Sequence, residues 1–263
     1  MNVQVLLATM HQKDYSKLES VNIQTSAIIV NQCDSNSIEH FEYKGKKIIW
    51  INTTERGLSR SRNMALKYAT EEICLLVDDD ECLADGYEEI ITGAFDSCPS
   101  AALLTFNIHS INGVKKRYNN TKIKRLHFYN IMRYGSARIA FKKADIDKNN
   151  IRMNVKFGAG SIVSNGEDSI FLHDCLDAKL KVYSWPDTIA DIKDGDSTWF
   201  QGYTDKFFVD KGMIFATMSP KWCALWCLQY VVRHKKLTKS VGTIRAFCNM
   251  MDGCRKVKEG GLD

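Results

Sequence analysis

The sequence predicts an α/β fold in which a mostly parallel β-sheet is flanked by helices and followed by a C-terminal helical extension. Short β-rich segments alternate with helical segments through the first half, the pattern of a parallel sheet. Hydrophobic residues make up 44% and charged residues 25% of the 263 positions, which is ordinary for a globular protein with a substantial core. From Pro220 the pattern becomes helical. We therefore predict one unit over 1–219 and a helical extension over 220–263.

The individual elements follow in chain order. Predicted strands cover 3–8, 27–31, 47–51, 73–77 and 101–108, and predicted helices cover 14–23, 58–69 and 85–95. A Gly-rich turn at 157–160 precedes a predicted helix over 167–178, which is followed by strands over 180–184 and 188–192. Ligands of such sheets bind beyond the carboxyl ends of the strands. The segments directly after the strands are therefore the candidate functional segments.

Four carboxylates, Asp78, Asp79, Asp80 and Glu81, directly follow the strand over 73–77. They repel one another, and the local sequence offers no counter-charge. Mg²⁺ and Mn²⁺ prefer hard oxygen ligands and commonly bridge to substrate phosphates. At the end of an interior strand, this cluster favours a metal site over a solvated acidic turn.

Arg62 is predicted to point inward. On a helix over 58–69 it falls on the apolar stripe with Leu58, Ala65 and Leu66, whereas Arg60 points to the opposite side. A buried guanidinium needs an anionic partner, because an unpaired buried charge is costly. That partner is a carboxylate of the protein or a ligand phosphate. The position of Arg62 in the first turns of the helix, just after Gly57, favours the phosphate.

Asp168 is also placed on an apolar stripe, one turn before Phe171 and Leu172. The N-terminus of a helix stabilises an anion, so this carboxylate is suited to accept a proton. Glu167 is expected to face a more exposed direction and to serve the helix dipole. A first-turn acid that only serves the helix dipole is the common alternative, but Glu167 can meet that need, so the inward position of Asp168 requires another reason.

Composition limits the partners and the compartment. The net charge of +5 is modest and diffuse, and does not indicate nucleic acid binding. Nine scattered cysteines without a CxxC motif predict reduced thiols and a reducing, cytoplasmic compartment. The N-terminus lacks the features of a signal peptide, and no run reaches the ~18 apolar residues that span a bilayer.

Together these segments resemble the family-2 glycosyltransferases of the GT-A fold. The resemblance runs in order through most of residues 1–217. It rests on GLSRSRN at 57–63, VDDDE at 77–81, FGAGSIVSNGEDSIF at 157–171, and DSTWFQGY at 196–203 followed by DKG at 210–212. The last two segments are similar to members that build bacterial capsules and exopolysaccharides.

The resemblance implies a role for each candidate. The donor would be a nucleotide-diphosphate sugar, most simply a UDP-sugar, and the acceptor a hydroxyl of a glycan or lipid-linked sugar. Asp168 would be the general base of an inverting reaction, and Asp80 with Asp78 would hold Mn²⁺ or Mg²⁺. The nucleotide-sugar would contact Ala8, Thr9, Asn31, Asp34, Arg62, Asp78 and Asp79, and the acceptor side would include Glu167, Gly158 and Trp199. Asp191, Asp194, Asp196 or water would complete the metal shell.

Two other functions compete with this interpretation. A sugar-phosphate nucleotidyltransferase would normally carry a Gly-rich basic loop after the first strand, and this chain has no glycine there. A GT-A-like domain could also bind a glycan without turning it over, although the full set of acids argues against an inactive domain.

The segment 222–232 (WCALWCLQYVV) is apolar, aromatic and too short to span a membrane. Lys221 precedes it, and Arg233, Lys235 and Lys236 follow it. A helix of this kind suits the interface of an anionic membrane, such as the inner face of the cell membrane. It would equally suit packing on the catalytic domain or on a second copy of this chain in a homo-oligomer.

Overall fold

The computed structural model describes residues 1–113, 118–135, 138–193 and 202–261. Its strands are β1 Val3–Met10, β2 Ser26–Gln32, β3 Ser37–Tyr43, β4 Lys46–Thr53, β5 Ile73–Asp78, β6 Glu81–Leu83, β7 Leu103–Ser110, β8 Lys124–Arg125, β9 Ile139–Lys142 and β10 Val182–Ile192. Its helices are α1 Lys17–Ser20, α2 Leu58–Tyr68, α3 Tyr87–Ser97, α4 Lys143–Lys148, α5 Glu167–Asp177, α6 Asp205–Met218, α7 Cys223–Arg233 and α8 Thr243–Lys258, with one 3-10 turn at Ile131–Arg133.

The strands form one sheet in the order β3-β4-β2-β1-β5-β9-β7-β10-β6, with β8 beside β10. The central run β4-β2-β1-β5 is parallel throughout, as is the pair β7-β10. β3, β6, β8 and β9 pair in the antiparallel direction. The predicted α/β class with a central, mostly parallel sheet is therefore confirmed.

The core lies on both faces of the sheet. On β1, Leu6 packs into the cluster that contains α2 and α5, whereas Val5 and Leu7 pack into the cluster that contains α3. Successive strand residues point to opposite faces, so a strand buried on both sides has a continuous apolar sequence. This explains why β1, β2 and β5 were readily predicted from the sequence.

Several predicted elements differ from the observed ones. The predicted helix over 14–23 is a single turn, α1, because Asn22 adopts a left-handed backbone (φ 58°) and ends it. The two predicted strands over 180–184 and 188–192 are one strand, β10, whose pairing with β7 shifts register between Ser184 and Thr188. The short strands β6 and β9 were not predicted, since strands of three or four residues carry little periodic signal. β3 was not predicted either, because this edge strand is mostly exposed and lacks a continuous apolar sequence.

The C-terminal helices pack closely on α6. A Cβ atom added at Gly212 of α6 would lie 1.9 Å from the Met250 carbonyl oxygen, and one added at Gly253 of α8 would lie 2.0 Å from the Val209 carbonyl oxygen. The two helices therefore cross with their backbones in contact. α6 also contributes Met213 and Ile214 to the main core. The domain boundary at residue 219 stays a prediction.

Candidate active site

The carboxyl ends of four parallel strands meet at one edge of the sheet, where β1, β2, β4 and β5 end at Met10, Gln32, Thr53 and Asp78. The register aligns Ala8 with Asp78 across β1 and β5, and Thr9 with Asn31 across β1 and β2. The topology therefore brings most of the predicted donor-side residues to a single edge.

Arg62 is the centre of the site. Its side chain is 2% exposed, and it donates to Asp78 Oδ1 at 2.7 Å and to Asp168 Oδ1 at 2.9 Å. Glu167 Oε1 lies 3.6 Å from the same guanidinium. The inward position deduced from helical periodicity is confirmed, and so is the need for an anionic partner. The structure shows carboxylates of the protein in that role, where the sequence favoured a ligand phosphate. Asp78 and Asp168, which are 90 positions apart in sequence, are thus held by one side chain.

The predicted difference in exposure between Glu167 and Asp168 was wrong. The Glu167 side chain is 10% exposed and that of Asp168 is 19% exposed. Burial, followed by the nearby Asp168 carboxylate, raises the pKa of Glu167 to about 8. Helical periodicity missed this because the covering element is a loop. Phe157 of that loop packs in the core beside α5.

Gly158 provides the space that Glu167 occupies. Its φ is +107°, and an added Cβ would lie 3.1 Å from Ser59 Oγ and 3.3 Å from Glu167 Cδ. A side chain at this position would be strained and would press on both neighbours. The absence of a side chain at Gly158 thus allows Glu167 to pack against this loop. The predicted contact of Gly158 with the acceptor stays a prediction.

Two loops that carry predicted motifs are joined directly. The Leu58 amide donates to the Ala159 carbonyl at 2.9 Å, and the Ser59 hydroxyl donates to the Phe157 carbonyl at 2.6 Å. Gln32 at the end of β2 accepts from the Gly57 amide at 2.8 Å. These bonds fix the start of α2, and with it the position of Arg62. The sequence placed Ser59 in the GLSRSRN segment and Gln32 directly after a strand, but it gave neither residue this structural role.

The remaining acids of the 78–81 cluster point in different directions. Asp79 accepts from the Thr9 hydroxyl at 2.6 Å, while its carbonyl accepts from Lys17 Nζ at 2.8 Å. Asp80 is exposed. Thr9 is buried (3% exposed), as is Ala8 beside it. The turn therefore presents Asp80 outward and anchors Asp79 to the first strand.

Glu81 is buried at 2% exposure, and neither of its carboxylate oxygens has a hydrogen-bond partner in the described part of the chain. Burial, then the Asp78 and Asp80 carboxylates, raises its pKa well above the usual range. The sequence placed Glu81 in the acidic cluster but gave no sign of its burial. That burial follows from β6, a strand too short to be predicted.

Asn31 and Asp34 already have protein partners. The Asn31 side chain accepts from the Gln12 amide and donates to the Gln12 carbonyl and to Asn52 Oδ1, all within 3.0 Å. Asp34 is exposed and pairs with Arg56 at 2.7 Å. Asn31 thus ties the ends of β1, β2 and β4 together. The predicted nucleotide contacts of Asn31 and Asp34 stay predictions.

Some predicted residues lie outside the described parts of the chain, namely Trp199, Asp194 and Asp196. Asp191 is described, and it pairs with His109 Nδ1 at 2.9 Å. Across the described ranges, no group of three or more His, Cys, Asp and Glu side chains has a geometry that could hold a metal ion.

Several solved structures have a fold similar to that of this chain. In fold, the chain is similar to S. aureus TarS 1-349 in complex with UDP-GlcNAc (TM-score 0.64, 13% identity, 99% of this chain and 91% of that chain). It is also similar to a longer S. aureus TarS chain (TM-score 0.61, 14% identity, 99% and 55%). A third similar structure is the mannosyltransferase PcManGT from Pyrobaculum calidifontis in complex with GDP-Man and Mn²⁺ (TM-score 0.52, 12% identity, 99% and 79%).

No curated protein sequence matches the chain. Its residues 24–161, however, match the sequence family Glycosyl transferase family 2. The matched segment is more than half of the chain and includes Arg62 and the whole 78–81 cluster. The protein therefore belongs to glycosyl transferase family 2 and has the GT-A fold.

Proposed function

We propose that the protein transfers a sugar from a nucleotide-diphosphate sugar, most simply a UDP-sugar, to a hydroxyl of a glycan or lipid-linked acceptor, with inversion at the anomeric carbon. The family membership supports glycosyl transfer. The similar structures, which hold UDP-GlcNAc and GDP-Man, support a nucleotide-sugar donor. The resemblance to capsule and exopolysaccharide enzymes supports bacterial surface polysaccharide synthesis as its role.

The observation that carries this proposal is the ion-paired triplet Asp78–Arg62–Asp168. Arg62 holds two carboxylates from distant parts of the chain at the edge where GT-A enzymes bind their donor. Asp168 accepts the proton of the acceptor hydroxyl as that oxygen attacks the anomeric carbon. The bond between that carbon and the diphosphate breaks, and the nucleoside diphosphate leaves. Arg62 fixes the position of the Asp168 carboxylate, which a general base requires.

A divalent cation fits the charge of this site. The described residues at the centre include the carboxylates of Asp78, Asp80 and Glu81, with Arg62 as their cationic neighbour. Buried Glu81 adds two carboxylate oxygens that have no hydrogen-bond partner among the described residues, so the turn is rich in the oxygen ligands that a divalent cation prefers. Asp80, together with Asp78, would hold Mn²⁺ or Mg²⁺ through hard oxygen ligands. The ion would stabilise the negative charge on the departing diphosphate.

A thermal-shift panel of nucleoside diphosphates, with and without Mn²⁺, tests this function. We expect one diphosphate to raise the melting temperature only when Mn²⁺ is present, because binding to the folded state alone stabilises it. Asp80→Asn should lose most of that shift, whereas Asp96→Asn, an exposed change on α3, should keep it. A shift of equal size in Asp80→Asn, or in EDTA, would contradict the metal assignment. Donor hydrolysis by the wild type then separates an enzyme from a binding module.

We also propose that α7 places the enzyme on an anionic membrane surface. The helix packs inward through Cys223, Cys227 and Val231 and exposes four apolar side chains. These are Trp222 (61% exposed), Leu225 (55%), Leu228 (49%) and Val232 (55%). Four exposed basic residues, Lys221, Arg233, Lys235 and Lys236, flank this face. No helix in the described ranges is both long and apolar enough to cross a bilayer. The exposed face of α7 supports peripheral attachment, which would suit a lipid-linked acceptor.

A further inference from the structure

A cavity lies between the segment around the 3-10 turn and helices α6 and α7. Its volume is about 520 Å³, within the range of ligand pockets. Four side chains that can carry positive charge line it: Arg133, Lys211, Arg233 and His234. None of its described lining residues is an Asp or a Glu. The pocket therefore has the opposite charge character to the acidic edge of the sheet.

The cationic groups of this pocket have no anionic partners within the described structure. Arg133 lies over the Tyr118 ring at 4.6 Å, and Lys211 Nζ lies 5.7 Å from the Phe207 ring and 5.9 Å from the Tyr230 ring. The neighbouring Asp210 carboxylate on α6 forms its ion pair with Lys206 Nζ, at 2.6 Å. Ring faces attract a cation only modestly, so this charge is left for a ligand.

The titration behaviour of the pocket agrees with this charge imbalance. Burial lowers the pKa of Lys211 to about 8, against a smaller opposing effect of Asp210. Burial, then the charges of Arg233 and Lys211, lowers the pKa of His234. An anion in the pocket would favour the charged form of both groups.

The walls of the pocket are aromatic. Phe215 lies 5.9 Å from Trp226 and 5.8 Å from Tyr230, measured between ring centroids. Phe128 closes another side and lies 4.9 Å from the His173 ring. Such walls suit a sugar ring or an apolar chain attached to the anionic group, and arginines suit the several oxygens of a phosphate.

The pocket adjoins the proposed general base by two routes. His173 is on the same helix as Asp168, five residues on, or roughly 7.5 Å along the axis. The chain leaving Arg133 reaches Gly135, where an added Cβ would lie 3.6 Å from Asp168 Oδ2. A ligand that extends from the pocket along these elements would approach Asp168.

We propose that this pocket binds a phosphate group of the acceptor, so that the substrate class is a phosphate-bearing glycan. The assignment of this phosphate to an acceptor rests on the proposed glycosyl transfer, whereas the phosphate site itself does not depend on it. Arg133 and Arg233 are exposed, so replacing them should leave folding intact. These two arginines are therefore the positions to substitute. Lys211 is not, because it is packed between the Phe207 and Tyr230 rings and its replacement could disturb folding.

Calorimetry with glycerol 1-phosphate, and with glycerol as the uncharged control, tests the site. We expect binding of the phosphate ester alone, weakened at least tenfold in Arg133→Gln/Arg233→Gln. Lys235→Gln/Lys236→Gln should bind as the wild type does, because it removes the same charge from exposed positions that do not line the pocket. Equal weakening in both pairs would overturn the proposal, since it would reflect net charge alone. Absence of binding to the wild type would also overturn it.

Two further measurements separate this site from other sources of phosphate. The thermal shift by nucleoside diphosphate with Mn²⁺ should be unchanged in Arg133→Gln/Arg233→Gln, and its loss would show that the pocket belongs to the donor. The second measurement is sedimentation with phosphatidylglycerol vesicles. If Arg133→Gln/Arg233→Gln abolishes vesicle binding and glycerol 1-phosphate does not bind the wild type, the site belongs to a lipid headgroup and the acceptor assignment is overturned. If glycerol 1-phosphate binds but no nucleoside diphosphate does, the proposed function fails and the phosphate site stands.

Discussion

The acidic edge of the sheet and the basic pocket beside α7 have opposite charge character. At the edge, one buried guanidinium serves three carboxylates, and Glu81 has no hydrogen-bond partner among the described residues. In the pocket, four basic side chains and several aromatic rings form the described lining, which contains no carboxylate. Acidic groups therefore predominate in the first region and basic groups in the second. A cation with a diphosphate would complete the first, and a phosphate-bearing acceptor the second, with Asp168 lying between them.

The largest expected effect concerns Asp168. Asp168→Asn removes the proposed proton acceptor while keeping the shape of the side chain, and should lower the transfer rate by ~10²–10⁴-fold. Binding of nucleoside diphosphate with Mn²⁺ should stay near the wild-type value, as measured by calorimetry. Asp177→Asn, an exposed change on the same helix, is the matched control. Loss of donor binding from a folded Asp168→Asn protein would show that this residue holds the donor and is not the base.

Substitution of Arg62 tests whether the acidic edge depends on the buried guanidinium of this residue. Arg62→Met leaves the buried carboxylates without their partner, and should reduce the free energy of unfolding by ~3–5 kcal/mol in urea titrations. Arg60→Met, exposed on the same helix, should change it by less than ~0.5 kcal/mol. If Arg62→Met is no more destabilising than Arg60→Met, the guanidinium does not hold the site together.

The raised pKa of Glu167 gives the edge a pH dependence. The folded protein keeps this proton up to about pH 8, whereas the unfolded chain loses it near 4.5, so stability falls as the pH rises between these values. From pH 5.5 to pH 8 this group should contribute a loss on the order of 1–3 kcal/mol. Glu167→Gln should flatten that slope, and the exposed Glu89→Gln should not. Glu81 acts in the same direction and remains in both variants. An identical slope in Glu167→Gln and wild type would mean that Glu167 titrates normally.

The smallest expected effect concerns the exposed face of α7. Each basic residue near an anionic surface adds ~1 kcal/mol, so Lys235→Gln/Lys236→Gln should weaken sedimentation with phosphatidylglycerol vesicles severalfold. High salt should do the same. Lys47→Gln/Lys148→Gln removes equal charge from exposed positions outside the α7 segment. Equal recovery with anionic and neutral vesicles would remove the electrostatic part, and no recovery with either would favour packing against another protein surface.

The sequence predicted these regions unequally for physical reasons. Arg62 was predictable because a charged residue on an apolar helical stripe needs a partner, and the structure shows that partner to be Asp78 and Asp168. Asp78 was predictable because it ends a continuously apolar strand. Glu81 and Glu167 were not recognised as buried, since Glu81 belongs to a three-residue strand that was not predicted and a loop with a glycine turn covers Glu167. The basic pocket could not be foreseen, because Arg133, Lys211 and Arg233 meet only through the packing of α6 and α7.

The stereochemistry of transfer tests the central claim most directly. Proton NMR of the anomeric signal can follow the reaction with the nucleotide-sugar chosen from the thermal-shift panel and a phosphate-bearing acceptor. We expect a product with the anomeric configuration opposite to that of the donor, formed by wild-type protein and essentially not formed by Asp168→Asn. A product that keeps the donor configuration, or wild-type turnover by Asp168→Asn, would contradict direct attack assisted by Asp168.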